Sequence, residues 1–544
     1  MQVKQISSLE KVMGNLSFPE TAQMKVLRGE RFSYQIAVQA DCFSPLEVTL
    51  TAAPEAEIRL YKVAEVPADA PYTEETVDED FLVKEPAMIP DVLQPLGACG
   101  NVWNVNAAAP AALWVEGVIP EDAPAGTYRI QIILTHRMTW PEVKTEVFEK
   151  VMTVEAAEAV LPAQKLIYAR WLHTDCIATA HHVPVHSEAH WDLMEKYIRA
   201  AAEVGVNMIL VPVHTPPLDT AEGVTRPCVQ LVDIEKKDGK YFFGFEKFER
   251  FINICKAAGI TYFEIAHMFS QGTSRFAPNI MVTENGKKDY LFGWHVSADS
   301  EEYREFVTQY VRAIAKEAKR EGIDATTYFH VSDEPSLKTM DTYRKAGELI
   351  RPNVGNCKTF DALSNVEFYK EGLVEIPVTL TAHLDEFLPY ELPEQWTYYC
   401  CVPQKDHINC LLTMPLYRVR MLGVLLYKYR IKGFLHWGLN FYHSSGSLYP
   451  INPYLTTSAD KRFPSGDPFI LYPTAGGVLQ SMRGKVTYEA LEDMRICQLL
   501  EEKIGRDAVV AMLDEEAGMN LNFNCYPKTA AFFARLRERM IQAL

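Results

Sequence analysis

From residue 1 to about 160, apolar and polar positions alternate in short runs: RFSYQIAVQA (31–40), EVTLTA (47–52), AALWVEGVI (111–119) and TYRIQIILT (127–135). A period of two places one face of each segment in a core and the other in water, so these runs read as half-buried strands, and the Pro, Gly and Asp clusters between them read as turns. The pattern predicts an N-terminal antiparallel β-sandwich over residues 1–160. In EAAEAVLPAQ (155–164) the alternation fades, and Pro162 marks a linker.

Beyond Lys165 the rhythm changes to an apolar run followed by a segment of helical period. KLIYARWLH (165–173), VNMILVPVH (206–214), ITYFEIAHMF (260–269), ATTYFHVSD (325–333), NCKTFDA (356–362), PVTLTAH (377–383), WTYYCCV (396–402) and KGFLHWG (432–438) are strand candidates. Helical patterns between them include 191–205, 245–259, 301–322, 336–350 and 415–430. Eight strands close a (β/α)8 TIM-type barrel, and no G-x-G-x-x-G follows any of them, which disfavours an open nucleotide-binding sheet. The barrel is assigned to 161–505, ending in the helix 482–505, and residues 506–544 form a C-terminal helical extension packed on it.

Composition narrows the function. The chain has 544 residues, 48% of them hydrophobic and 23% charged, which suits large cores and excludes a disordered chain. Fifty-four basic against 71 acidic residues give a net charge of −17, which opposes binding to nucleic acid or to an anionic membrane surface. No apolar run reaches spanning length, and the opening MQVKQISSLEKVMGNLSF has no signal-peptide pattern, so a cytoplasmic location is expected. Eleven cysteines without any C-x-x-C spacing argue against a disulfide framework or thiolate zinc site, and the vicinal pair Cys400–Cys401 reads as packing. His182, His186 and His190 are four apart, but Pro184 breaks any helix carrying them; no metal and no cofactor are expected.

In such barrels the chemistry sits at the C-terminal strand ends. These carry Trp171, His173 and Asp175, then His214, His267, the pair Asp333 and Glu334, Asp361, His383 with Asp385, Tyr399, and finally Trp437 with Asn440. Aromatic rings, imidazoles and carboxylates without lysine suit a sugar, whose C–H faces pack on rings while its hydroxyls meet polar groups. The sharpest signal is HVSDEPS (330–336), in which two adjacent acids close an apolar strand and a proline stops the ladder.

These motifs, together with HTDCIA (173–178), PPLDT (216–220), AHMFSQ (266–271), FDALS (360–364), GFLHWGLNF (433–441) and SMRGKVTYEALEDMRICQLL (481–500), resemble glycoside hydrolase family 123 and its relatives, which include β-N-acetylgalactosaminidases. IPDVL (89–93) and LWVEGVIPEDAPAGTY (113–128) look like the N-terminal β-domain of that family, so the resemblance spans nearly the whole chain. It implies retaining, substrate-assisted hydrolysis of a terminal β-linked N-acetylhexosamine, most readily N-acetylgalactosamine, on an oligosaccharide or glycoconjugate. On that resemblance an ionised Asp333 orients the 2-acetamido group, and Glu334, kept protonated by a poorly solvated site, is the general acid and then the base. His173, Asp175, His214, His267, Asp361, Tyr399, Trp437 and Asn440 are the expected substrate-binding residues. Two readings stay open beside it: a hydrolase of another sugar with Asp361 or Asp385 as nucleophile, and a non-catalytic glycan-binding protein. The sequence also leaves a homo-oligomer open. Two stretches depart from the family pattern. Gln271 is followed by Gly272 and Thr273 where relatives carry Trp-Gly, leaving an aromatic wall missing or supplied elsewhere, and Lys485 and Ala490 replace a Glu and a Gly.

Overall fold

The computed structural model describes residues 1–75, 77–97, 100–138 and 143–544. The N-terminal runs form two sheets around a shared core. One is ordered Gln2–Ser7, Arg31–Gln39, Ala111–Val118, Glu57–Ala68, Ala87–Pro95; the other Gln23–Arg28, Lys144–Val160, Gly126–Met138, Ser44–Thr51, Val102–Val105. In Gly126–Met138 the alternation works as expected: Tyr128, Ile130, Ile132 and Leu134 join Ile36, Val38, Leu113, Val115 and Val154 in that core. The sandwich is not purely antiparallel, because Gln23–Arg28 runs parallel to Lys144–Val160. Nor is it built only from the first 160 residues. A hairpin from beyond the barrel, Tyr472–Thr474 and Gly477–Ser481, extends the first sheet by pairing Gln480 with Leu93 and Ser481 with Val92.

Eight parallel strands form a closed barrel: Ile167–Arg170, Met208–Val211, Tyr262–Ile265, Thr327–His330, Lys358–Ala362, Ile376–Leu380, Trp396–Tyr398 and Gly433–His436. Closure comes from the first and eighth, with Ile167 opposite Gly433. Almost every residue in these short strands is buried, as expected of strands covered on both faces. Long helices pack outside after most strands, among them Glu188–Ala202, Glu246–Ala257, Glu301–Arg320, Met340–Ile350, Leu416–Lys428 and Met482–Ile504. Several start on serine caps: Ser187, Ser300 and Ser481 accept the N–H of His190, Tyr303 and Gly484. After strands five and six only the one-turn helices Glu367–Lys370 and Leu384–Phe387 remain, so the regular (β/α)8 repeat lapses there.

A further four-stranded sheet grows from the loops after strands two and three: Asp233–Lys237, Lys240–Gly244, Ile280–Glu284 and Lys287–Phe292. Its two hairpins turn on Asp238-Gly239 (φ 50° and 75°) and Asn285-Gly286 (φ 52° and 77°). Paired positive φ angles are the type I′ geometry that suits the twist of a two-residue hairpin.

Helix 482–504 lies between sandwich and barrel and carries two ion pairs to the sandwich. Arg483 binds Asp91 at 2.8 Å, and Lys485 binds Glu116 at 2.9 Å, so the lysine that replaces the family's usual Glu has a carboxylate partner in the sandwich. The final helices, Arg506–Ala517 and Ala530–Gln542, reach beyond the barrel, since Arg537 pairs with both Asp493 and Glu30. Among the described residues no helix is long and apolar enough to cross a membrane.

Candidate active site

Strand four ends at His330, and the chain then adopts an uncommon backbone: Asp333 has φ 91° and Glu334 φ 47°. Two successive non-glycine residues with positive φ store roughly 1–3 kcal/mol each and persist only when their surroundings over-determine them. Here the constraint is a buried polar network. Asp361, at the end of strand five, accepts the N–H of Ser332 on Oδ2 (2.9 Å) and that of Asp333 on Oδ1 (2.8 Å). The same Oδ1 takes His330 Nε2–H at 3.0 Å, while His330 Nδ1–H donates to Glu264 at 2.8 Å and Trp171 Nε1–H donates to the other oxygen of Glu264 at 2.8 Å. The Glu334 N–H reaches the Ala362 carbonyl at 2.8 Å. Burial alone would lower the His330 pKa, but the Asp361 and Glu264 carboxylates outweigh it and hold the imidazole at about 10. At neutral pH a buried imidazolium therefore bridges two carboxylates directly beneath the acid pair.

The two acids differ in surroundings. Asp333 is buried; its Oδ2 accepts Gln271 Nε2–H at 2.8 Å and its Oδ1 lies 3.8 Å from His330 Nε2. Glu334 is exposed, and its Oε1 accepts the Tyr398 hydroxyl at 2.8 Å. Burial first and the Glu334 carboxylate second push Asp333 well above the usual carboxylate range, against the pull of His330. This reverses the expectation of an ionised Asp333 beside a poorly solvated Glu334: in the empty site the buried acid is Asp333. Gln271 is itself fixed by the Asp219 N–H at 2.9 Å. Gly272, next in sequence, has φ 72° and donates its N–H to the Asp333 carbonyl at 2.9 Å. A tryptophan at that position would be strained in this backbone.

Of the residues expected to bind substrate, Trp437 alone is half-buried; the other seven are buried. His173 Nε2–H donates to the Trp437 carbonyl (3.1 Å), its Nδ1 faces Arg226 (3.3 Å), and its backbone is gripped on both sides by the Asn440 amide (2.9 and 3.0 Å). Asp175 is held by Arg226 (2.6 and 2.9 Å) and His443 (2.8 Å), which overcome the burial penalty and keep its carboxyl well below the usual range. His214 Nε2–H is spent on the His267 carbonyl at 2.8 Å. These four, like Asp361, form the layer under the pocket that ties loops together, because the chain turns back over the barrel within a few residues of each strand end. His267 packs its ring on His330 with centroids 3.8 Å apart, and neither ring nitrogen has a protein partner. Tyr399 points at strand eight, against Phe434 and His436, and the preceding Tyr398 is the one that meets Glu334. That is a parity error: successive strand residues face opposite ways. His383 pairs with Glu386, and Asp385 stands exposed on the one-turn helix after strand six. Residues missing from the sequence reading are Glu264, Gln271, Tyr398 and Asp467, whose Oδ2 accepts the Trp437 indole N–H at 3.0 Å. Gln271 lies inside a quoted motif, whereas Asp467 carries no local signal at all.

Three buried clusters have donor types that metals use: Asp175 with Cys176 and His443, Glu264 with His267 and His330, and His330 with Asp333 and Asp361. In the first, the Arg226 guanidinium already neutralises Asp175; in the others, both His330 nitrogens are engaged in hydrogen bonds to carboxylates. His190 of the spaced histidines donates to the Thr174 carbonyl at 2.8 Å. Cys400 and Cys401 have sulfurs 3.8 Å apart, and the Cys401 thiol and burial push the Cys400 thiol up, so it stays protonated at neutral pH.

Residues 171–500 match the family model described as glycoside hydrolase 123, catalytic domain. The whole chain superposes on a family 123 glycoside hydrolase from Clostridium perfringens, described in connection with glycolipid glycan hydrolysis, with a TM-score of 0.73 at 14% identity over 99% of this chain and 96% of that one. Other solved structures superpose far less well: a Thermobacillus composti GH10 xylanase gives a TM-score of 0.31 at 13% identity, covering 61% of this chain and 97% of its own. A family 2 glycosyl hydrolase from Bacteroides cellulosilyticus gives 0.28 at 9% identity, covering 82% and 47%. No curated protein matches the sequence. With the family model covering more than half of its length, the chain belongs to glycoside hydrolase family 123.

Proposed function

We propose that this glycoside hydrolase releases terminal β-linked N-acetylhexosamine, most readily N-acetylgalactosamine, from a glycan or glycoconjugate, with retention and with the 2-acetamido group of the substrate as nucleophile. The observation that carries the reading is the adjacent acid pair held in a strained backbone at the C-terminal end of strand four, one acid buried and the other open. Asp333 accepts the acetamido N–H and turns the carbonyl oxygen toward the anomeric carbon. Glu334, steadied by the Tyr398 hydroxyl, protonates the leaving oxygen as the C–O bond breaks and the oxazolinium ring closes. The leaving group departs, and Glu334, now a carboxylate, takes a proton from water as the water opens the ring on the same face, restoring the starting acid. Asp333 stabilises the positive charge of the ring throughout.

Substrate binding also counters the raised pKa of Asp333. An amide N–H bonded to Asp333 favours its charged form, while a sugar covering Glu334 removes water and favours its neutral form. The proton of the pair thus moves to Glu334 as the complex forms.

A protein nucleophile is disfavoured because both oxygens of Asp361 are occupied beneath the pair and Asp385 is exposed on an outer helix. The test is a panel of 4-nitrophenyl glycosides comprising both N-acetylhexosamines in both anomers and their 2-hydroxyl counterparts, with NMR of the first-formed product. Turnover confined to the β-acetamido glycosides with a β product supports the reading; turnover of 2-hydroxyl glycosides at equal rates refutes it.

A further inference from the structure

Asp467 lies on the segment that returns over the barrel mouth after strand eight, thirty residues beyond the tryptophan it holds. It is fully buried. Its Oδ2 accepts the Trp437 indole N–H at 3.0 Å, and its Oδ1 lies 3.5 Å from His436 Nε2 with no closer partner. The Gly438 N–H donates to His436 Nδ1 at 2.9 Å, which leaves the proton of this neutral imidazole on Nε2, facing Asp467. One carboxyl group therefore spans two consecutive residues, His436 and Trp437, at the end of the eighth strand.

The backbone is fitted to this arrangement. A Cβ added at Gly438 would stand 2.4 Å from the Asp467 carbonyl oxygen and 2.7 Å from Pro468, so only glycine lets the two segments approach this closely. Arg483 fixes the returning segment from below through the carbonyls of Gly466 (2.6 Å) and Phe469 (2.9 Å). The indole is flanked by Phe441 and Phe463 with centroids at 5.1 and 5.0 Å, and it stays half-buried. Glu334 acts electrostatically on Asp467, which places this assembly in the field of the acid pair.

We propose that Asp467 is a positioning residue that sets the orientation of Trp437, and through it the wall on which the sugar ring packs. This rests on the reading of Trp437 as part of the sugar pocket. An indole can rotate about two side-chain bonds; aromatic neighbours restrict it by shape, but only a hydrogen bond to the ring nitrogen distinguishes its two faces. Asp467 supplies that bond from a segment anchored independently of strand eight.

Two measurements on the full chain test it. In steady-state kinetics on the best β-acetamido glycoside, Asp467→Ala should raise KM about tenfold with kcat changed less than about threefold, since the lost interaction is one of binding. Asp467→Asn, which keeps an oxygen for the indole N–H, should recover most of that loss. In a Trp437→Phe background the Asp467→Ala change should have no further effect on KM, because its partner is gone. The second measurement needs no substrate: the near-ultraviolet circular dichroism of Trp437, isolated as the difference between wild type and Trp437→Phe, should change in Asp467→Ala and persist in Asp467→Asn. An unchanged indole signal in Asp467→Ala, or an equal KM effect with Trp437 absent, overturns the proposal. Failure of the wild type on every N-acetylhexosaminide would instead refute the N-acetylhexosaminidase reading, with the spectrum still reporting on Asp467.

Discussion

Asp361→Asn tests whether the strained acid pair is held from below. The substitution keeps size and shape but replaces one acceptor oxygen by an NH2 group. Asp361 receives three donors, from Ser332, Asp333 and His330, so in either amide orientation at least one donor then faces another donor. Leaving a buried N–H unpaired costs about 1–3 kcal/mol, and removing one of the two counter-charges of a buried imidazolium costs about 3–5 kcal/mol. Together these exceed the roughly 1–3 kcal/mol of strain at each of Asp333 and Glu334, so the segment should relax toward ordinary φ. A displacement of about 1 Å at reacting groups lowers turnover on the order of 10²-fold, and kcat should fall by about 10²–10³. The assay is steady-state hydrolysis of a 4-nitrophenyl β-acetamido glycoside, with thermal unfolding to confirm that the variant is folded. A folded variant within about threefold of wild-type kcat would refute the clamp. Recovery of turnover by azide, with formation of a glycosyl azide, would show instead that Asp361 had been the nucleophile.

Glu334→Gln should lose several orders of magnitude on substrates with poor leaving groups and much less on nitrophenyl glycosides, which need little protonation; equal losses on both would remove Glu334 from the acid role. Successive fluorination of the substrate's acetyl methyl should slow turnover steeply while Asp333→Asn lowers kcat far more than it weakens binding, and an indifferent rate across the fluorinated series would exclude acetamido attack. His330 has a folded-state pKa of about 10, raised from about 6.5, so its stabilising effect is fully present below pH ~6.5 and is lost as pH rises through 10. The Tm gap between wild type and His330→Gln should therefore narrow from pH 6.5 to pH 10, and a gap that widened would contradict the ion-bridge assignment. In the free enzyme the one proton of the pair sits on the buried Asp333 and is the proton that Glu334 needs in the complex, so kcat/KM should fall as pH rises through the raised pKa of Asp333; a profile that climbed through that pKa would oppose this.

The barrel was legible because its strands are apolar runs of a length and spacing that few other architectures accommodate, and all eight fell where the periodicity put them. The four-stranded excursion carries its own signal in DGK and NGK, two hairpin turns flanked by β-formers, set within the loops after strands two and three. The hairpin 472–481 was not legible, since nothing local distinguishes a strand that pairs with one nearly 390 residues earlier. The site divides in the same way. HVSDEPS announces itself because adjacent acids in an apolar strand end conflict with burial. Position at a strand end does not by itself give exposure: His173, Asp175, His214 and Asn440 are buried and hydrogen-bonded to neighbouring loops, and Tyr399 packs on Phe434 and His436 while Tyr398, one residue earlier, meets Glu334.

This division reflects what each layer has to do. A sugar pocket in a barrel needs an acid that changes protonation state within the catalytic cycle, and such a group cannot itself be locked by strong fixed charges. The Glu334 carboxylate accepts a hydrogen bond from the neutral Tyr398 hydroxyl. The rigidity has been moved one layer down, to groups whose charges need not change: Glu264 and Asp361 about the His330 imidazolium, and Asp175 about Arg226 and His443. Asp333 stands at the boundary, its backbone fixed by the lower layer and its carboxyl poised by burial against the charge of Glu334. On the proposed mechanism, a ligand that offers an amide N–H to the one and excludes water from the other should shift the shared proton without moving either backbone, and a glycoside whose 2-substituent lacks that N–H should not.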